Sequence, residues 1–353
     1  MKNSVIVIAS FIACCCGTPR NSSTNEAKNN STESASRENV AVNYAKKITA
    51  KELKEYLYTF ASDEFEGRDT GEPGQKKAAE FLKKQYKKMG IPSPLGEDDY
   101  FQEIPSSYFR GGINDSENVV AYIKGTEKPE EIIVISAHYD HIGIDKEGNI
   151  YNGADDDGSG NVSMLEIAEA FKEAKKDGFG PKRSILFLHV TGEEKGLYGS
   201  RFYTENPVFP LEKTIADLNI DMIGRVDKNH EDEDKRNYIY LIGSDRLSTD
   251  LHEISEKVNE TYTQLDLDYT YNDKDDPNRF YFRSDHYNFA KHNIPIIFYF
   301  NGVHEDYHKP TDTADKIEYE LLTKRAQLVF YTAWEVANRL DRIVVDGADS
   351  EGE

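Results

Sequence analysis

Two periodicities alternate along residues 45–345 of this chain. Apolar runs at 118–123, 132–137, 184–190, 215–220, 238–242 and 295–300 carry the β-branched and aromatic residues of buried strands. Between and after them, 159–175, 247–259 and 319–340 space apolar residues three and four apart among charged ones, as helices with one face in a core do. Upstream, Thr49 followed by Glu52 is a capping-box pattern that opens a helix to about Phe60. The stretch 73–89 places Ala78, Phe81, Leu82, Tyr86 and Met89 at helical spacing, with Gly90 as its stop. Strands alternating with helices predict an α/β fold, a three-layer α/β/α sandwich around a largely parallel (mixed) central sheet. No fixed-period repeat and no Pro- or Gly-rich linker interrupts 45–345, so one domain is expected there, with the acid-dense 227–235 as an exposed excursion.

The 353 residues carry a formal net charge of -21, which argues against a nucleic-acid partner because phosphates would be repelled. Lys2 and the apolar run 5–13 have the charged start and short apolar core of an export signal, too short to span a bilayer as a helix. All three cysteines, Cys14, Cys15 and Cys16, end that run, so no thiol is left downstream for a disulfide. Phe11-Ile12-Ala13-Cys14 resembles a bacterial lipobox, with Cys15 as the other candidate for the lipidated residue. Residues 1–13 are thus expected to be a lipoprotein-type signal peptide. Residues 14–44, with little to bury, are expected to be a disordered tether, and 346–353 an acidic tail. This organisation implies export and a lipid anchor on the bacterial cell envelope through Cys14 or Cys15.

Two literal motif matches fail on context. His304-Glu305-Asp306-Tyr307-His308 fits H-E-x-x-H, which needs one helix through all five residues, but Asn301-Gly302 precedes it and Pro310 follows. Residues 155–166 fit the calcium-loop pattern D-x-D-x-S-G-x5-E, but an EF-hand needs a helix leading in, and 148–153 is turn chemistry.

Five scattered residues make a more coherent set: His138, Asp156, Glu194, Asp221 and His308. Each falls at or just after the end of a strand-like run or in the loop beyond it, where open α/β sheets gather their active sites. Two histidines and three carboxylates are too few for two closed tetrahedral sites. If one carboxylate bridges, each of two metals gains three protein ligands and keeps a vacancy for water, the catalytic pattern. Asp140, two residues beyond His138, is positioned to hold that imidazole by its second nitrogen.

The segments NGADDDGSG, TGEEKGLYGS, LNIDMIG and DYHKPTDT follow in order. Together with SDEFEGRDTGEPGQKKAAEFLKKQ near the start and SDHYNF before the last strand, they resemble the co-catalytic zinc peptidases of the MH clan over most of residues 50–340. The clan includes bacterial leucyl aminopeptidase and glutamate carboxypeptidase. The resemblance implies a single catalytic domain over 45–345 with two Zn2+ ions. Asp156 would bridge them, His138 and Asp221 would complete one ion, and Glu194 and His308 the other. It further implies that the Asp156–Asp157 peptide is cis, that Glu193 is the general base, and that a zinc-bridged hydroxide attacks. A tyrosine, either Tyr281 or Tyr307, would stabilise the oxyanion. Asp312 would orient His308 from behind, whereas His141, His189 and His286 are expected to be satisfied polar residues and Asp285 structural. The implied activity is a metallo-exopeptidase acting on peptides, foremost an aminopeptidase. A carboxypeptidase using Arg225, Arg279 or Arg283 is the alternative within the family, and a non-catalytic surface-anchored binding protein the alternative outside it.

Overall fold

The computed structural model describes Met1 and residues 40–347. The expected signal peptide beyond Met1, both candidate lipidation cysteines, most of the tether and the end of the acidic tail lie outside the described residues. One compact unit begins at Ala41. Residues 41–44 were expected in the tether, yet they are helical, and Ala41, Tyr44 and Ala45 are buried. The reason is aromatic cover: the Tyr44 ring stacks on Trp334 at 6.0 Å, and Trp334 stacks on Phe171 at 5.7 Å. At the other end Asp346 also belongs to the fold, where its carboxylate accepts the backbone N–H of Thr249 at 2.9 Å.

The N-terminal helices form as their caps predict. Helix α1 (Ala50–Phe60) starts at Thr49, whose Oγ1 accepts the N–H of Glu52 at 3.2 Å. Helix α2 (Pro73–Met89) has Pro at its first turn and ends at Gly90, whose φ of 67° is the left-handed stop that glycine adopts without strain. The chain then builds an eight-stranded sheet from β1 (Phe101–Ile104), β2 (Ser116–Ile123), β3 (Lys128–His138), β6 (Arg183–Val190), β7 (Thr214–Ile220), β8 (Tyr238–Ile242), β9 (Asp266–Asp268) and β10 (Ile296–Phe300). A small hairpin, β4 (Gly143–Ile144) with β5 (Ile150–Tyr151), stands apart. Sheet order is β1-β2-β6-β3-β7-β10-β8-β9. The centre, β6-β3-β7-β10, is parallel, whereas β1, β2 and β8 join antiparallel and β9 pairs parallel with β8.

Both faces are covered, as near-continuous apolar strands require. Val134, Leu186 and Leu188 point to one side, where Tyr203 of α4 (Tyr198–Glu205) and Phe289 of α6 (His286–Ala290) pack. Phe187 points to the other, 6.1 Å from the ring of Tyr86 on α2. On that side α1, α3 (Gly160–Lys176) and α7 (Tyr319–Asn338) pack on one another, and α5 (Thr249–Val258) packs on α7. The result is the three-layer α/β/α arrangement. The excursion at 227–235 is exposed as expected except at two positions. Asp227 and His230 are buried because the Asp227 carboxylate accepts the Tyr240 hydroxyl at 2.9 Å and His230 stacks on Tyr238 at 3.5 Å.

Candidate metal centre

Parallel strands bring their carboxyl ends to one edge, and all five expected ligands come from there. His138 is the last residue of β3, Asp221 follows β7, Glu194 lies beyond β6, and His308 lies in the loop after β10. Asp156 belongs to the turn Ala154–Ser159 that leads into α3, and its peptide to Asp157 is cis. The two oxygens of Asp156 face different imidazoles: Oδ1 lies 3.1 Å from His138 Nε2 and Oδ2 lies 3.1 Å from His308 Nε2. His138 Nε2 is also 3.6 Å from Asp221 Oδ1, and His308 Nε2 is 3.2 Å from Glu194 Oε2.

These spacings fit cations. An ion held tetrahedrally about 2.0–2.1 Å from nitrogen and oxygen ligands spaces those ligands about 3.3–3.4 Å apart. The four distances scatter around that edge. Buried Asp156 Oδ2, Asp157 Oδ2 and Glu194 Oε1 also make no hydrogen bond, a costly state for carboxylate oxygens unless a cation meets them. The electrostatics agree. Burial alone would lower His308, but Asp156 and Glu194 raise it to about 10. Burial and Asp156 push the Glu194 carboxyl up, and His141 and His308 outweigh them, leaving it at about 2.

Around these residues is an open cleft, lined on its polar side by His138, Asp156, Glu193, Asp221 and His308. Met222, Phe280, Phe298, Phe300 and Val303 form an apolar wall, with Arg283 beside them. Glu193 faces the cleft, and burial, then Glu194, Asp221 and Asp285 against the opposing His138, push its carboxyl well above the usual range. Tyr307 also lines the cleft, with its ring stacked on His308 at 3.8 Å. Tyr281 is not among the lining residues. It is buried in the hydrophobic core, under the Arg246 guanidinium at 3.8 Å.

Several supporting roles differ from expectation. His138 Nδ1 faces the backbone carbonyl of Asp140 at 3.1 Å, while the Asp140 carboxylate is 3.8 Å away. That carboxylate instead accepts the hydroxyl of Thr70 at 2.7 Å and the backbone N–H of Glu193 at 3.1 Å, so Asp140 holds the Glu193 backbone rather than the imidazole. Asp312 accepts the backbone N–H groups of Asp155, at 3.0 Å, and Asp156, at 3.2 Å. It fixes the turn that carries the shared carboxylate, not His308. Arg68 was not anticipated at all. Fully buried, it donates to the carbonyls of Tyr139 at 2.9 Å, Asn152 at 2.6 Å, Gly153 at 2.9 Å and Phe60 at 3.3 Å, tying the end of β3 to the Asp156 turn.

His189 is satisfied as expected, between Asn161 at 2.6 Å and the Tyr86 hydroxyl at 2.7 Å. His286 Nε2 faces the Tyr281 carbonyl at 2.8 Å. His141 departs from expectation, because it enters the cluster: its ligand atom, with those of Asp156 and Glu194, forms one group within 4.8 Å. Residues 304–308 form turns, with His308 at a φ of 55°, and His304 pairs with Asp155 at 3.1 Å. The two histidines therefore face different carboxylates, and no helix presents them together.

The chain is 31% identical over 216 residues to a probable leucine aminopeptidase of Arthroderma otae, covering 60% of this chain and 55% of the relative. It is 29% identical over 217 residues to the corresponding protein of Arthroderma benhamiae, with the same coverage. The chain spans about half the length of these curated relatives. Among solved structures, the LapA aminopeptidase of Legionella pneumophila superposes with a TM-score of 0.65 at 23% identity, over 86% of this chain and 76% of that one. The zinc aminopeptidase BSAP of Bacillus subtilis gives 0.63 at 17% identity, over 84% and 98%. The family model of peptidase family M28 matches residues 118–333, and the chain belongs to that family.

Proposed function

We propose that this chain is a dizinc metallo-exopeptidase that removes the N-terminal residue of peptides. The observation that carries the reading is the Asp156 carboxylate, whose two oxygens address His138 and His308 separately at 3.1 Å each. His138, Asp156 and Asp221 would hold one ion, and Asp156, Glu194 and His308 the other. Two such ions, when bound, supply Lewis acidity for the scissile carbonyl and lower the pKa of water.

The chain's own groups do the rest. Glu193 takes a proton from the attacking water and passes it to the leaving amine nitrogen. Burial, then Asp156 and Glu194, raise the Tyr307 hydroxyl far above its ordinary value, so it stays protonated and can donate to the oxyanion. The wall of Met222, Phe280, Phe298, Phe300 and Val303 suits an apolar first side chain. The aminopeptidases among the relatives support the same choice.

Arg283 on the cleft wall favours the second reading, a carboxypeptidase, because a guanidinium there can receive a terminal carboxylate. Arg225 is less suited, since it is engaged with Asp306 at 2.9 Å. Peptides blocked at one terminus decide between them. Acetylation of the N-terminus should abolish release of free amino acid while C-terminal amidation leaves it intact, and the opposite pattern refutes the aminopeptidase. The proposal extends to a lipid anchor, supported by residues 11–14. Fatty-acid labelling should be lost in the double variant Cys14→Ala, Cys15→Ala, and labelling that persists there refutes the anchor.

A further inference from the structure

His141 is fully buried, yet neither ring nitrogen makes a hydrogen bond. Its Nδ1 lies 2.9 Å from Glu194 Oε1 and 3.8 Å from Asp156 Oδ2. Both of those oxygens are themselves buried without a hydrogen-bond partner, so the short contact lacks the alignment of a shared hydrogen. Three unpaired polar atoms converging away from solvent carry an uncompensated desolvation cost. One cation among them relieves all three, and the two distances straddle the tetrahedral edge of about 3.3–3.4 Å. The ring of His308 stands nearby, 5.8 Å away between centroids and nearly perpendicular at 71°, with its Nε2 3.2 Å from the other oxygen of Glu194.

The backbone makes room for the ring. Gly153 has a φ of 54°, and a Cβ there would lie 2.6 Å from His141 Cδ2. A side chain at 153 would push the imidazole out of its place.

We infer that His141 is a fourth protein ligand of the ion held by Asp156, Glu194 and His308, an inference that rests on the two-ion reading above. The two sites then differ in kind. The site of Asp156, Glu194, His308 and His141 has four protein ligands, retains its ion more tightly and takes a further ligand only by becoming five-coordinate, whereas that of His138, Asp156 and Asp221 keeps an open position. Zinc should therefore leave in two separated steps.

The test uses the full chain loaded with zinc. Competition with a chromophoric chelator measures both affinities in the wild type, His141→Ala and His141→Asn, with circular dichroism to verify folding. The asparagine amide can still donate to Glu194 but ligates zinc poorly. Loss of more than about 100-fold at the tighter site in both variants supports a direct ligand, because removing an outer partner costs about 10–100-fold. Wild-type affinity in His141→Asn overturns the assignment, leaving His141 as a hydrogen-bond donor. On the unmutated chain, histidine 15N shifts during zinc titration count the ligating imidazoles: three support His141, and two refute it. A wild type that binds fewer than two zinc ions defeats the two-ion reading itself, an outcome distinct from failure of His141 alone.

Discussion

Arg68 offers the sharpest test of how the centre is held. Four of its hydrogen bonds, at 2.6–3.3 Å, run to carbonyls of Phe60, Tyr139, Asn152 and Gly153, and its guanidinium lies over the Phe60 ring at 4.8 Å. Each bond from a charged donor contributes about 1.5–3 kcal/mol, so four amount to roughly 6–12 kcal/mol before the desolvation of the cation is charged against them. That desolvation is several kcal/mol, and it is the reason the Arg68 pKa falls to about 10. Arg68→Met returns the desolvation cost but strands the carbonyls, and the difference is a destabilisation of about 3–5 kcal/mol. Arg68→Lys keeps the charge without the fork and should lose about 3 kcal/mol. Urea denaturation monitored by circular dichroism should show a lower midpoint with an unchanged slope. Zinc affinity should fall with stability, because the same carbonyls belong to the loops behind His138 and Asp156. Arg68→Lys within about 0.5 kcal/mol of wild type would refute the argument that these bonds position the turn.

Glu193→Gln should lower kcat on an unblocked dipeptide by about 10²–10⁴-fold while zinc content by elemental analysis stays unchanged, and an unaltered rate removes Glu193 from the chemistry. Tyr307→Phe should cost about 10²-fold in kcat, whereas Tyr281→Phe, in the core, should stay within about twofold, and the reverse ranking would exchange their roles. Glu166, which accepts the Thr49 N–H at 3.3 Å, has its carboxyl pushed up to about 8 by burial and then by Glu52. The folded state thus binds that proton more tightly than the unfolded state. The resulting stability is complete below the ordinary value of 4.5 and is lost as pH rises through about 8. Glu166→Gln should raise stability at pH 9 by about 2–3 kcal/mol and give no gain at pH 4, and an equal effect at both pH values contradicts the burial argument.

Elements with a strong period were legible in the sequence. The strands at 184–190 and 215–220 and the helix ended by Gly90 needed only apolar spacing and a glycine. Mixed pairing at the sheet margins was less visible, since β1 has four residues and β9 three, too few to carry a pattern. The five residues that meet beyond the strand ends could be found because carboxylates and imidazoles stood there in order. Side-chain partners could not. Whether Asp140 grips His138 by its carboxylate or by its carbonyl depends on which way the loop turns after β3, and Thr70 and Glu193, distant in sequence, decide it by occupying the carboxylate. Arg68 and Asp312 bind backbone rather than side chains, and a backbone amide or carbonyl leaves no mark in composition. His141 looked ordinary because its neighbours Glu194 and Gly153 meet it only in three dimensions.

The stack of Tyr44 on Trp334 has a practical outcome, because the chain contains one tryptophan. All indole emission arises where Tyr44 lies against α7, and Trp334 is not among the residues lining the cleft. Fluorescence during denaturation will therefore time the peeling of the segment that carries Tyr44. A gap between it and circular dichroism would reveal a fraying front that precedes loss of the sheet.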